Sequence, residues 1–352
     1  MDLKAYGFIP ESNNVSAVPA RVICVHRERY DLVCEYGEIS GRLKTKEYYD
    51  GTEDFPTTGD FVLIDYIPGS DSRIIRTLPR RTFFSRRDPT PGRGEQAVAA
   101  NFDYVFIMQS LNHDFNANRL QRYLTLAWQS GALPVVLLTK ADLSADYTGQ
   151  LRAAQNVAGS VPVFAVSAKT GYGLDALTEY IKPGKTVVFL GSSGVGKSSL
   201  VNALAGEELM AVNSIREDDS KGRHTTTYRQ LLMLSNGTMI IDTPGMRELG
   251  MWDVSGGLGE AFPDVEAVLG QCRFSDCRHE SEPGCAVREA IKAGILSEDR
   301  WKSYVSLKQE ARFSEDKTAY RRHKAERFKE IAKKNREIKK GRKNKGGNPY
   351  DD

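Results

Sequence analysis

Long apolar runs are absent from this chain of 352 residues: nothing approaches the about 18 successive apolar positions that a membrane helix needs, so no span is expected. The N-terminus, Met1-Asp2-Leu3-Lys4-Ala5-Tyr6-Gly7, lacks a basic stretch followed by an apolar one. A secretory leader is therefore not expected, and the cytoplasm is the expected compartment. Cysteine is sparse and odd in number, with Cys24 and Cys34 near the start and Cys272, Cys277 and Cys285 close together. That pattern argues against a disulfide framework, and the first pair reads as small apolar residues in strands. No repeat of fixed period is present, which argues against a repeat architecture.

What is present is a composition near the globular average, 40% apolar and 27% charged, in a chain too long for one core, so two or three domains are expected. The net charge of +3 conceals a division: residues 301–352 carry 17 Lys and Arg against 8 Asp and Glu, leaving 32 against 38 for residues 1–300. Such a basic end suits a phosphate backbone, or is a solvated helix and tail. Residues 20–78 hold short β-type runs at Arg21–Val25, Tyr30–Cys34 and Asp60–Tyr66. Their density predicts a small antiparallel barrel, for which the five-stranded oligonucleotide-binding (OB) fold is one candidate. Arg80-Arg81, Arg86-Arg87 and Arg93, interleaved with Phe83 and Phe84, read as an extended basic linker that either touches RNA or stays solvated. From residue 102 the rhythm becomes strand, helix, strand, with strands at Tyr104–Met108, Leu133–Leu138, Val161–Val166, Thr186–Leu190 and Thr238–Asp242 and a helix at Leu120–Trp128. Alternation of that kind predicts a parallel α/β sheet.

The chemistry is concentrated in a few motifs. Gly191-Ser192-Ser193-Gly194-Val195-Gly196-Lys197-Ser198, followed by Ser199, satisfies the phosphate-loop pattern between an apolar strand and a helix. Its backbone N–H groups can surround phosphates, with Lys197 reaching the β and γ positions and Ser198 coordinating Mg²⁺. Farther on, Asp242-Thr243-Pro244-Gly245 ends a buried strand, where Asp242 can hold the metal's water shell and the Gly245 N–H can sense a γ-phosphate. Between them, Lys221-Gly222-Arg223-His224-Thr225-Thr226-Thr227 offers a threonine for Mg²⁺, or reflects only β-propensity. Upstream, Thr139-Lys140-Ala141-Asp142 and Ser167-Ala168-Lys169 each follow a strand. The Asp142 carboxylate can accept from guanine N1 and N2, the Lys140 stem can flank the ring, and the Ala168 N–H can donate to O6, a pattern adenine reverses. Finally, Cys272, Cys277, His279 and Cys285 supply three thiolates and an imidazole, the donor set of closed, structural Zn²⁺.

The order of these motifs, base-reading segments before the phosphate loop, resembles the circularly permuted GTPases of the TRAFAC class, most closely the small ribosomal subunit biogenesis GTPases of the RsgA type. Glu95–Asn101, Phe115-Asn116 with Leu120 and Arg122-Tyr123-Leu124, Gly191–Leu200 and Gly222–Thr227 carry the resemblance over nearly the whole chain. It implies an N-terminal OB barrel with linker over 1–95, a permuted α/β GTPase domain over 96–250, and a mainly helical zinc-binding domain with a basic tail over 251–352. It also implies a cytoplasmic, monomeric GTP hydrolase whose partners are GTP and GDP, the small ribosomal subunit and its rRNA, with no membrane. Zinc at the four positions above and Mg²⁺ with the nucleotide are the implied cofactors. Where many GTPases place a water-orienting Gln after Asp-x-x-Gly, this chain has Met246. His224 is the expected substitute, and Thr226, with Thr225 as competitor, the expected Mg²⁺ ligand beside Ser198. The competing reading is an RNA-binding assembly scaffold that holds GTP without cycling.

Overall fold

The computed structural model describes residues 1–10, 17–27, 29–44, 48, 54–87, 95–112, 115–210, 229–242 and 255–309. Near the N-terminus, five strands alternate inward and outward residues: β1 (Val18–Val25), β2 (Tyr30–Cys34), β3 (Gly37–Leu43), β4 (Phe61–Asp65) and β5 (Ser72–Thr77). Val22, Leu32, Val62, Ile64 and Ile74 all point inward and are fully buried. The order β1-β2-β3-β5-β4 returns to β1, with only the β3–β5 pair parallel, so the sheet closes into the expected five-stranded barrel.

The stretch expected as an extended linker is instead partly paired. Strands β6 (Phe83–Arg87) and β7 (Glu95–Ala100) form an antiparallel pair across the expected boundary at 95/96. Its cause is apolar: Phe84 stacks on Phe102 with centroids 4.9 Å apart, inside the core of the next domain.

That domain is built on β8 (Tyr104–Ser110), β9 (Leu133–Thr139), β10 (Val163–Ala165), β11 (Thr186–Gly191), β12 (Gln230–Met233) and β13 (Met239–Asp242). The spatial order is β10-β9-β8-β11-β13-β12, parallel except for β12. Runs such as Val105-Phe106-Ile107 are buried on both faces, as a helix-covered parallel sheet requires. Helix Ala117–Gln129 covers one face through Leu120, Leu124 and Ala127, and helix Lys197–Ala205 covers the other through Leu200 and Val201. Asn116 caps the first of these by accepting the Arg119 N–H at 2.9 Å.

Barrel and α/β sheet are continuous, because β1 pairs with β12 at Cys24 and Gln230. Beside this seam Arg21, fully buried, donates to the carbonyls of Tyr6 (2.6 Å), Gly59 (3.2 Å) and Asn101 (2.8 Å). Its guanidinium also lies over the Phe61 ring at 4.9 Å. Burial drives its pKa down to about 9 against the pull of Asp103 and Asp60.

Among the described residues beyond 242 there are helices and no strand: Ser255–Ala261, Pro263–Glu266, Ala286–Lys292 and 298–309. A Cβ at Gly257 would lie 2.3 Å from the Thr125 carbonyl oxygen, so only glycine lets this segment pack directly on helix Ala117–Gln129. Arg300 ties the last helix to Pro263–Glu266, donating to both Asp264 carboxylate oxygens at 2.7 and 2.8 Å. The expected boundary at 250/251 and the basic tail from residue 310 on lie outside the described residues.

Candidate functional site

Four of the motifs emerge from the same edge of the sheet, the C-terminal ends of β9, β10, β11 and β13, where ligands of parallel α/β sheets bind. Thr139, Lys140, Asp142, Ala168, Lys169, Gly196 and Ser199 line one cleft, with Leu143, Val166 and Leu200 as its apolar wall. Segments far apart in sequence and in reversed order thus face a common space.

Local geometry explains how. After Leu138 the chain turns sharply, with Lys140 in the left-handed region at φ 61, so its stem passes beside the phosphate loop. A Cβ on Gly196 would lie 4.0 Å from Lys140 Cε. The Ala141 N–H donates to the Val166 carbonyl at 3.1 Å, locking the two base-facing segments together. Ser167, fully buried, donates from its hydroxyl to Asp142 Oδ1 at 2.6 Å, and its oxygen accepts the Thr170 N–H at 3.2 Å. The carboxylate is therefore held in one orientation before any ligand arrives.

The loop Gly191–Gly196 joins β11 to the helix Lys197–Ala205. Gly194 and Gly196, at φ 72 and 101, adopt backbone conformations that L side chains avoid, and they bring the chain round to open the helix. The helix N-terminus, with Gly196 and Ser199 lining the cleft, then stands beside it, an arrangement that suits anions. Lys197 forms an ion pair with Asp242, which is 6% exposed at the end of β13. Thr139 binds the loop to the base-facing strand: its hydroxyl lies 2.6 Å from the Val195 carbonyl and 3.3 Å from that of Gln109. This brace, and the apolar wall, were missed by motif reading, since Leu143, Val166 and Leu200 look like ordinary strand or helix residues in the sequence. His224, Thr226, Gly245 and Met246 lie outside the described residues.

The second constellation is also assembled. Donor atoms of Cys272, Cys277, His279 and Cys285 all lie within 4.8 Å of one another. His279 Nδ1 is 3.5 Å from both Cys272 Sγ and Cys285 Sγ. Tetrahedral ligands on bonds of about 2.0–2.3 Å stand roughly 3.5 Å apart, so the four residues fit zinc. Burial and the neighbouring Cys272 and Cys285 push the Cys277 thiol up to about 11, crowding that a divalent cation would relieve. His279 is at φ 63, and Glu282 braces this loop by accepting the N–H groups of Arg278, Glu280 and Ser281, each at 3.0 Å. Hydrogen bonds from its own N–H and from Arg278, Ser281 and Glu280 hold the Glu282 carboxyl down at about 2. The Trp301 ring stands edge-on to His279 at 5.3 Å.

Comparison with known proteins adds a separate line of support. The family model described as RsgA GTPase matches residues 77–252. A small ribosomal subunit biogenesis GTPase RsgA 1 from Listeria innocua is 45% identical over 340 residues, covering 95% of this chain and 96% of its own length. A small ribosomal subunit biogenesis GTPase RsgA from Methanosarcina acetivorans is 46% identical over 280 residues, covering 79% and 76%. The crystal structure of YjeQ from Thermotoga maritima matches with a TM-score of 0.63 at 28% identity, over 82% of this chain and 96% of that one. YloQ, a circularly permuted GTPase, shares the fold with a TM-score of 0.60 at 24% identity, over 88% and 99%.

Proposed function

The chain belongs to the RsgA GTPase family, and on that premise we propose that it is a guanine-nucleotide switch that hydrolyses GTP to GDP and phosphate in late maturation of the small ribosomal subunit. The observation that carries this reading is the single cleft shared by Lys140 and Asp142 on one side and Gly196 and Ser199 on the other. Asp142, oriented by Ser167, accepts from guanine N1 and N2; the Lys140 stem covers one ring face; the Ala168 N–H donates to O6. The loop Gly191–Gly196 and the following turn, with Ser192, Ser193, Ser198 and Ser199, enclose the phosphates, and Lys197 moves its charge onto the β and γ oxygens.

Ser198 and Thr226 would hold Mg²⁺, with Asp242 holding its water shell, and the ion would neutralise phosphate charge. The described two fit that task, an alcohol in the first helical turn and a nearly buried carboxylate at the adjoining strand end. The Gly245 N–H senses the γ-phosphate. His224 orients the attacking water in place of the absent Gln, as its oxygen bonds to the γ-phosphorus and the bridging oxygen leaves with GDP. Cys272, Cys277, His279 and Cys285 hold a structural zinc, which supplies cross-linking and no chemistry of its own. The basic region 301–352 and the barrel dock on rRNA, and the protein acts as a cytoplasmic monomer. Among the described residues no helix is long and apolar enough to cross a membrane.

The test is GTP turnover with and without purified small subunits, for the wild type and His224→Ala. Stimulation by the subunit is expected in the wild type and should be lost in the variant with GTP affinity retained. An unstimulated wild type would favour the scaffold reading, and normal stimulated turnover by the variant would remove His224 from the mechanism.

A further inference from the structure

Among the described residues one other group of metal-type donors comes together, away from the nucleotide cleft and the Cys272 cluster: Cys24, His26 and Asp31. Both ends of the β1–β2 hairpin contribute. Cys24 is the cross-strand partner of Asp31, so the two side chains leave the same face, and His26 follows Cys24 by two positions on that face. The turn is closed by the His26 N–H donating to the Arg29 carbonyl at 2.8 Å.

An irregularity in the strand makes this possible. Val22 pairs with Leu32, both inside the barrel, and regular register would set Cys24 opposite Tyr30, also inside. Instead the register shifts between Val22 and Cys24, so Val25 takes the place opposite Tyr30 and Cys24 turns outward beside Asp31. Two further features suit a cation. Sγ of Cys24, a ring nitrogen of His26 and a carboxylate oxygen of Asp31 lie within 4.8 Å of one another; His26 Nε2 and Asp31 Oδ2 are hydrogen-bonded at 2.8 Å, a contact that a shared ion would open and replace. Cys24 is 5% exposed, whereas the His26 and Asp31 side chains are 36% and 46% exposed. The thiol forms a buried floor and the other two donors a rim open to water.

We propose that Cys24, His26 and Asp31 form a second metal site, an open three-ligand site for a divalent transition ion such as Zn²⁺ or Co²⁺. One sulfur, one imidazole nitrogen and one carboxylate oxygen are the donors such borderline ions accept, and three protein ligands leave a fourth position for water. Mg²⁺ and Ca²⁺, which need several oxygens, are poorly served by it. The site lies at the seam itself, since Cys24 is also the residue paired with Gln230 on β12.

The experiment uses the full-length protein carrying zinc at the Cys272 cluster, verified by metal analysis. Co²⁺ is added, unbound ion removed, and bound metal and absorption are measured. The wild type should take up about one further equivalent with a thiolate-to-cobalt charge-transfer band. Cys24→Ser should lose the band. His26→Ala and Asp31→Asn, at the solvent rim, should weaken uptake by at least the roughly tenfold that even an outer-shell change costs. Each variant's fold is checked by its GTP affinity. No additional equivalent in the wild type overturns the proposal, as does a band that persists in Cys24→Ser, which would place the cobalt in the Cys272 cluster.

Discussion

Arg21→Lys isolates what joins the barrel to the GTPase sheet. The substitution keeps a basic nitrogen and most of the stem, and burial disfavours its charged form as it does that of Arg21. What disappears is the planar fork. Arg21 reaches the Tyr6, Gly59 and Asn101 carbonyls from three different nitrogens, which a single ammonium on a shorter reach cannot do together. Gly59 keeps a second donor, Asn101 Nδ2 at 3.3 Å, so the Tyr6 and Asn101 carbonyls carry the loss. One or both of these bonds from a charged donor are lost at roughly 1.5–3 kcal/mol each, so the seam should weaken by about 1.5–6 kcal/mol. A chain of several domains does not unfold in two states, and a global midpoint would blur the effect. Amide hydrogen exchange reads it locally: amides of β1 and β12 should exchange about 10–10⁴ times faster, while those of β8 and β9 hold. Less than a tenfold change at β1 and β12 would refute the role given to the guanidinium.

Two other outcomes follow from the site geometry. Asp142→Asn keeps an oxygen for the Ser167 hydroxyl but points an N–H₂ where guanine offers its own donors, so GDP affinity should fall by about 10²–10⁴ and preference should pass to xanthine nucleotides; competition binding with GDP and XDP decides, and GDP affinity within a few-fold of wild type would contradict it. Glu282 has a folded pKa near 2, below its ordinary 4.5, so its stabilisation of the zinc loop is complete above about pH 4.5 and fades as pH falls through about 2. Glu282→Gln removes that term at every pH, should cost roughly tenfold in zinc affinity, and should shift acid release of zinc upward; identical metal retention across the acid range would exclude the brace.

Motifs with fixed local chemistry were open to sequence reading. Gly191–Ser198 needs two glycines at positive φ, and Cys272, Cys277, His279 and Cys285 fall within one loop, so both are short-range patterns. The strands leading into the cleft are equally plain, being apolar runs. Other elements were not legible for identifiable reasons. Strand β3 carries Gly37 and Gly41, and β5 holds only Ile74 and Ile75 between arginines, so each owes its existence to its neighbours in the barrel. The β6–β7 pair depends on Phe84 meeting Phe102, and the Arg21 network on carbonyls up to 80 residues away. Cys24 reads as a small apolar strand residue, and only the register shift sets it beside Asp31, a displacement no local propensity records.

The permuted order has a mechanical consequence. The chain enters the GTPase sheet on β8 and leaves it on β13, and these two strands are the immediate neighbours of β11 on either side. Tension between the domain before β8 and the domain after β13 therefore acts as shear along two parallel ladders, with the strand that carries the phosphate loop caught between them. In an unpermuted chain, starting at β11 and ending at β10, the far end of that load would fall on the rim of the sheet, three strands from the loop.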